Sequence, residues 1–442
     1  MQIQLSDHFT YRKLVRFVMP TIIMMIFTSI YSVVDGFFVS NFVGKTPFAA
    51  VNLIFPVLMI FGALGFMLGT GGSALVARLL GEQNPEKARQ VFSLLTYVAI
   101  VLGTLLAVAG SIWMRPIALF LGAEGELVDL CCLYARILLV ALPGFMLQNM
   151  FQSFLVTAEK PQLGLLVTVI AGVAIMVLDA LFIVALDWGL AGAAAATAIS
   201  QILGGVIPLV YFSMPNQSLL RLGAAPFDGG ALLKAVTNGA SEFVTNISMS
   251  VVAVLYNFQL MYYAGEDGIA AYGVIMYVSF VFVAIFLGYS IGVAPIVGYH
   301  YGAQNRQEMR NLFHKSMVFI TGSGLLLTAV AVAAATPLSR LFVGYDAGLC
   351  ALTAHAFRLY AVSFFFCGFG IFGSALFTAL NNGAVSATIS FLRTLVCQSL
   401  TVLLLPMIWG IEGVWYAIIV AETVSAAVAV CFMLKGREVY HY

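Results

Sequence analysis

The chain has 442 residues, 62% of them hydrophobic and only 9% charged, and its mean hydropathy is +1.02. Soluble proteins carry roughly 25% charged residues, so this composition excludes a chain folded wholly in water and implies a polytopic membrane protein. Twenty Lys and Arg against nineteen Asp and Glu leave a net charge of +1, which excludes a charge-driven nucleic-acid partner.

At the N-terminus, Arg12, Lys13 and Arg16 precede an apolar run from Phe17 to Val34. The run is too long for the core of a signal peptide and no small-x-small cleavage site follows, so it reads as the first span. A helix needs about twenty residues to cross roughly 30 Å of hydrocarbon. Apolar windows of that length recur near 14–38, 48–72, 91–112, 130–157, 163–186, 190–212, 236–263, 269–293, 316–335, 352–379, 385–408 and 412–434. The expected fold is an all-α membrane protein of twelve transmembrane helices. The polar stretch 213–235, with Pro215, Arg221, Pro226 and Asp228, divides it into an N-terminal six-helix lobe (1–212), a cytoplasmic linker, and a C-terminal six-helix lobe (236–442).

Fourteen of the twenty basic residues lie in segments on the side of the N-terminus. Lys45, Arg115 and Arg340 lie on the other side, and Arg136, Arg358 and Arg393 lie within spans. The positive-inside rule then places both termini in the cytoplasm, with the protein in the cell (inner) membrane. Six cysteines lack metal-ligand spacing and read as small buried hydrophobes.

The chain repeats itself at an offset of 221 residues. Gly81, Gln83, Asn84, Arg89 and Phe92 match Gly302, Gln304, Asn305, Arg310 and Phe313, and Trp188, Gly189 and Gly192 match Trp409, Gly410 and Gly413. Six spans per half give both halves the same orientation. This is a parallel repeat about an axis along the membrane normal, a plan used by two-lobed transporters.

The segment Pro295-Ile-Val-Gly-Tyr-His-Tyr-Gly-Ala-Gln-Asn305, its counterpart Gly81-Glu-Gln-Asn84, the pair Leu178-Asp179 and the run from Gly189 to Ser200 resemble the MATE (multidrug and toxic compound extrusion) family, in its MepA-like branch. The resemblance covers both halves. It implies a transporter rather than an enzyme, which expels organic cations in exchange for H⁺ or Na⁺ by alternating access between two lobes. It implies small cationic or amphipathic drugs and the lipid bilayer as partners, no nucleic acid, and no cofactor besides the coupling ion.

Four acids lie well within spans: Asp35, Asp179, Glu242 and Glu422. An acid at the centre of a bilayer costs a few kcal/mol, so each needs a function or a partner. At about 1.5 Å per residue, Asp35 and Asp179 reach a similar height in the outer third of the membrane, as one shared site would require. Neither has an acidic mate in the repeat, where Asp35 faces Tyr256 and Asp179 faces Leu400.

The family's N-lobe cation site uses an Asp on the first span, Asn-x-x-x-Asp on the fifth and a Thr on the sixth. Asp35, Asp179 and Thr197 match it, with Tyr31 one turn before Asp35 and Pro20 where the family's first helix bends. In place of the Asn stands Ile175, which offers no oxygen to a hard cation. The expectation is therefore proton coupling, with Na⁺ at Asp35, Asp179 and Thr197 as the alternative. Two close carboxylates cannot both carry charge cheaply, so drug and proton should exclude one another.

Glu242, about 9 Å into the seventh span, reads as a second titrating site or an inner-mouth carboxylate. Glu422 reads either as functional or as a polar contact between helices, and Arg393 as the partner of an acid or a carbonyl. Gln148, Asn149, Gln152, Tyr256, Asn257 and Met276 are the candidate drug contacts, because they add polarity or adaptable bulk to spans expected to line the cavity.

Three rival functions remain. A lipid-linked oligosaccharide flippase of the same fold superfamily would want several deep basic residues, and only Arg393 qualifies. A membrane-embedded enzyme would show His-Glu-x-x-His or Gly-x-Gly-Asp, and neither occurs. A channel would carry equivalent polar rings in both halves.

Overall fold

The computed structural model describes residues 3–442, and no strand occurs among them. The N-terminal lobe holds α1 (Tyr11–Phe42), α2 (Lys45–Gly81), α3 (Pro85–Phe120), α4 (Glu126–Val140), α5 (Leu142–Thr157), α6 (Pro161–Asp179, continued by a π-helical turn Ala180–Ala185) and α7 (Gly189–Ser213). After α8 (Gly229–Asn238) come α9 (Ala240–Gly302), α10 (Arg306–Val343), α11 (Ala347–Ala379), α12 (Gly383–Ser390), a π-helical stretch Phe391–Cys397, α13 (Gln398–Trp409) and α14 (Ile411–Tyr440).

Ten of these helices, taken with their continuations, are long and apolar enough to cross a membrane, and the bent pair α4–α5 makes an eleventh crossing. The 63 residues of α9 would reach about 95 Å if straight, three bilayer cores. Gly265, at φ 63° and ψ −149°, breaks the helix into two crossings, which completes twelve.

The fourth crossing, the stretch 213–235 and the cysteines each add to or correct the sequence expectation. The fourth span is not one straight helix, because α4 and α5 meet at 57°. Pro143, second in α5, has no N–H to donate to the preceding turn, and the ladder breaks there. The stretch 213–235 is partly helical. Its last part enters α8, capped by Asp228, which accepts from the Ala231 amide at 3.0 Å. The Lys87 ammonium 2.5 Å away, together with that amide, holds the Asp228 carboxyl below the usual carboxylate range. Finally, only Cys131, Cys132 and Cys367 are buried, while Cys431 is exposed on α14. An apolar span facing lipid has no need to bury such a side chain, which is why composition misplaced it.

The matched motifs of the two halves are helix ends. Gly81 and Gly302 close α2 and α9, and Gln83 and Gln304 sit at φ 61° and 55°. Asn84 and Asn305 then cap the next helix, accepting from the amides of Lys87 (3.2 Å) and Glu308 (3.1 Å).

The lobes meet on the side that carries both chain ends. Seven residues of α1 between Leu14 and Met24 are buried, but beyond them only Val39 is. Glycines permit the backbone contact: a Cβ on Gly288 would fall 2.4 Å from the Ile22 Cα, and one on Gly239 would fall 1.9 Å from the Met67 carbonyl oxygen. Toward the other side the same helices part, and Tyr31 and Asp35 are only half-buried.

Residues 3–10 form a strap across this closed side. The Leu5 amide donates to Glu159 Oε1 of the N-terminal lobe at 2.7 Å. The Phe9 amide donates to Glu308 Oε1 of the C-terminal lobe at 2.9 Å, and the Phe9 carbonyl accepts from Lys315 Nζ at 2.8 Å. Leu5 and Phe9 have no exposed surface, so apolar burial holds the strap as well as hydrogen bonds.

Candidate functional site

Packing of α1 on α6 places the Asp35 and Asp179 carboxyls within hydrogen-bonding reach of one another. Asp179 is completely buried, and Asp35 is partly open. Among the described residues, Asp35 Oδ1 and both Asp179 oxygens have no donor. Two carboxyls so placed repel unless a proton or another cation lies between them. Such a pair can hold one proton or one other monovalent cation. Asp179 is the last α-helical residue before the π-helical turn, where the helix widens.

Around the pair stand Tyr31, which packs edge-on to Phe27 (5.8 Å between ring centroids), and Gly172 of α6. A Cβ on Gly172 would come within 2.4 Å of Phe27 and 2.7 Å of Tyr31, so this glycine lets α1 approach α6. Thr197 donates its hydroxyl to the Ala193 carbonyl at 3.0 Å, leaving its oxygen lone pairs unspent. Ile175, one turn before Asp179, is buried and adds no oxygen. Tyr134 of α4 was missed from the sequence. It is 4% exposed, and its hydroxyl lies within electrostatic range of both carboxyls. A tyrosine in an apolar span gave no signal, because hydropathy does not say which face of a helix turns inward.

The other candidates are dispersed. Glu242 is the third residue of α9, not 9 Å into a span, because the chain breaks at Gly239 where it presses on Met67. Pro20 is buried within an unbroken α1. Gln148 packs over Gly204, Asn149 donates to the Gly62 carbonyl at 3.2 Å, and Gln152 is buried with Oε1 unpartnered. Tyr256 is buried and stacked on Tyr272 at 4.9 Å, whereas Asn257 is exposed and Met276 half-buried. Arg393 and Glu422 pair inside the C-terminal lobe at 2.9 Å, so Glu422 is an inter-helix contact and Arg393 has an acid as partner.

The MatE family model matches residues 20–181 and 243–403, one copy in each lobe. The chain is 25% identical to the multidrug export protein MepA of Staphylococcus haemolyticus over 97% of this chain and 94% of the relative. A MATE protein solved in complex with MaL6 superposes with a TM-score of 0.92 at 24% identity, covering 98% of each chain. A multidrug resistance MATE transporter in an outward-facing conformation gives 0.91 over the same shares, also at 24% identity.

Proposed function

Since this chain belongs to the MatE family and is therefore a transporter, we propose that it is an antiporter exporting small organic cations in exchange for protons, by alternating access between its two lobes. A relative bearing the name multidrug export protein along nearly the whole chain supports the substrate class. The single observation that carries the coupling is the Asp35–Asp179 pair, whose inward oxygens lack any donor among the described residues. One positive charge satisfies the pair, and a proton and a cationic drug compete for that place. Each biases the lobes only through its different affinity for their two arrangements.

With both termini cytoplasmic, as the basic loops favour, the closed side faces the cytoplasm and the pair opens outward. A proton arriving from outside would then displace the drug. Tyr31 and Met276, both half-buried, supply aromatic and polarisable surface to an amphipathic cation, a cation–aromatic contact adding about 0.5–2 kcal/mol.

Calorimetry in buffers of different ionisation enthalpy counts the protons released when a monovalent cationic dye binds. About one proton per dye is expected in the wild type and none in Asp35→Asn. A count of zero in the wild type across pH 5–8 overturns the reading. Dye efflux from proteoliposomes under separate Na⁺ and pH gradients identifies the coupling ion.

A further inference from the structure

The C-terminal lobe also encloses a carboxylate, but that one is fully satisfied from within. Glu422 of α14 is 3% exposed; its Oε2 accepts from Arg393 Nε at 2.9 Å and its Oε1 from Gln398 Nε2 at 3.3 Å. The surroundings are shaped for the arginine. Arg393 lies in the π-helical stretch Phe391–Cys397, and a Cβ on Gly370 of α11 would fall 2.6 Å from its Cδ, so that position has no room for a side chain.

The repeat makes the contrast sharp. Arg393 corresponds to Gly172, two turns before Asp179 on the equivalent helix, and Glu422 corresponds to the neutral Gln201. At these two positions the N-terminal lobe thus keeps a glycine and a neutral amide where the C-terminal lobe keeps a guanidinium and a carboxylate, and its own acids, Asp35 and Asp179, stand elsewhere in the repeat. One lobe leaves its negative charge for something that comes and goes, and the other carries its own counterion.

We propose that Arg393 is a resident cation, covalently filling in the C-terminal lobe the role that an exchangeable cation fills in the N-terminal lobe. The C-terminal lobe is then permanently loaded, and exchange is confined to one site per chain. Removing the guanidinium converts Glu422 into a binding site for a small monovalent cation of guanidinium shape. The single-site consequence rests on the proton exchange proposed above, whereas the binding consequence does not.

The test is replacement in trans. Purified Arg393→Ala should unfold at a temperature several degrees below wild type, and millimolar methylguanidinium should restore most of the loss. Urea, a neutral molecule of similar shape, should restore none. Wild type and Arg393→Ala/Glu422→Gln should not respond to methylguanidinium. Equal effects of methylguanidinium and urea on Arg393→Ala, or an undiminished response in the double variant, overturn the resident-cation role.

Should Arg393→Ala fail to fold, Arg393→Met/Glu422→Leu replaces the pair with apolar groups of similar volume, a change that buried ion pairs often tolerate. That variant should release the same number of protons per bound dye as wild type. A lower count would place the pair inside the exchange machinery and sink the proposal. A zero count in the wild type instead defeats the exchange reading and leaves the methylguanidinium result standing.

Discussion

Gly81 and Gly302 make the same contact from opposite sides. A Cβ on Gly81 would fall 2.0 Å from the carbonyl oxygen of Tyr299, and one on Gly302 would fall 2.1 Å from that of Arg78. Arg78 and Tyr299 are themselves 221 residues apart, so the contact is reciprocal about the axis that relates the lobes. The Arg78 guanidinium also lies over the Tyr301 ring at 5.6 Å. A methyl group at either glycine cannot be absorbed without separating α2 from α9, since the opposing atom is backbone. Gly81→Ala and Gly302→Ala should each shift the protein away from the state closed on the terminus-bearing side. Distances between spin labels at positions 83 and 304, in a cysteine-free background, should lengthen; an unchanged distribution would refute the contact as a gate.

The strap gives a second expectation. Glu308 is 4% exposed and accepts from the Phe9 amide at 2.9 Å, from the Asn311 amide at 2.7 Å and from His8 Nδ1 at 2.6 Å. Glu308→Ala strands the buried Phe9 amide, and leaving a buried donor unmade costs about 1–3 kcal/mol, whereas the exposed His8 can turn to water. Thermal unfolding should fall accordingly, and trypsin should cut faster at Arg12 and Lys13. Cleavage at the wild-type rate would show the strap to be held by Leu5 and Phe9 burial alone.

Asp35→Asn keeps the shape of the side chain and removes its charge. Efflux should be lost while expression and detergent stability stay near wild type. Retention of more than about half the activity would remove Asp35 from the exchange site, since such a coupled pair does not work at half strength.

Ile175 is buried one helical turn before Asp179. Ile175→Asn places an amide oxygen one helical turn from Asp179, adding the hard-oxygen donor that Na⁺ prefers. Na⁺-stimulated dye efflux at constant pH should appear or rise. A wild-type protein already driven fully by Na⁺ would contradict the role given to this isoleucine.

The amino-acid sequence by itself determined the class of the molecule, its spans and its duplication. A twenty-residue apolar window and a 221-residue offset are local properties that need no knowledge of neighbours. It also singled out Asp35 and Asp179, because a carboxyl in hydrocarbon is costly wherever its helix points. Only the tertiary structure decided which groups meet. Arg393, in a π-helical stretch, finds Glu422 on another helix, with Gly370 leaving the space beside its side chain. Packing turns the buried Tyr134 toward the acids, and Glu242 lies at a helix start just after Gly239, which touches Met67. Helix rotation, bends and backbone approach arise from packing between segments far apart in the chain. Hydropathy, summed along one segment at a time, carries no record of them.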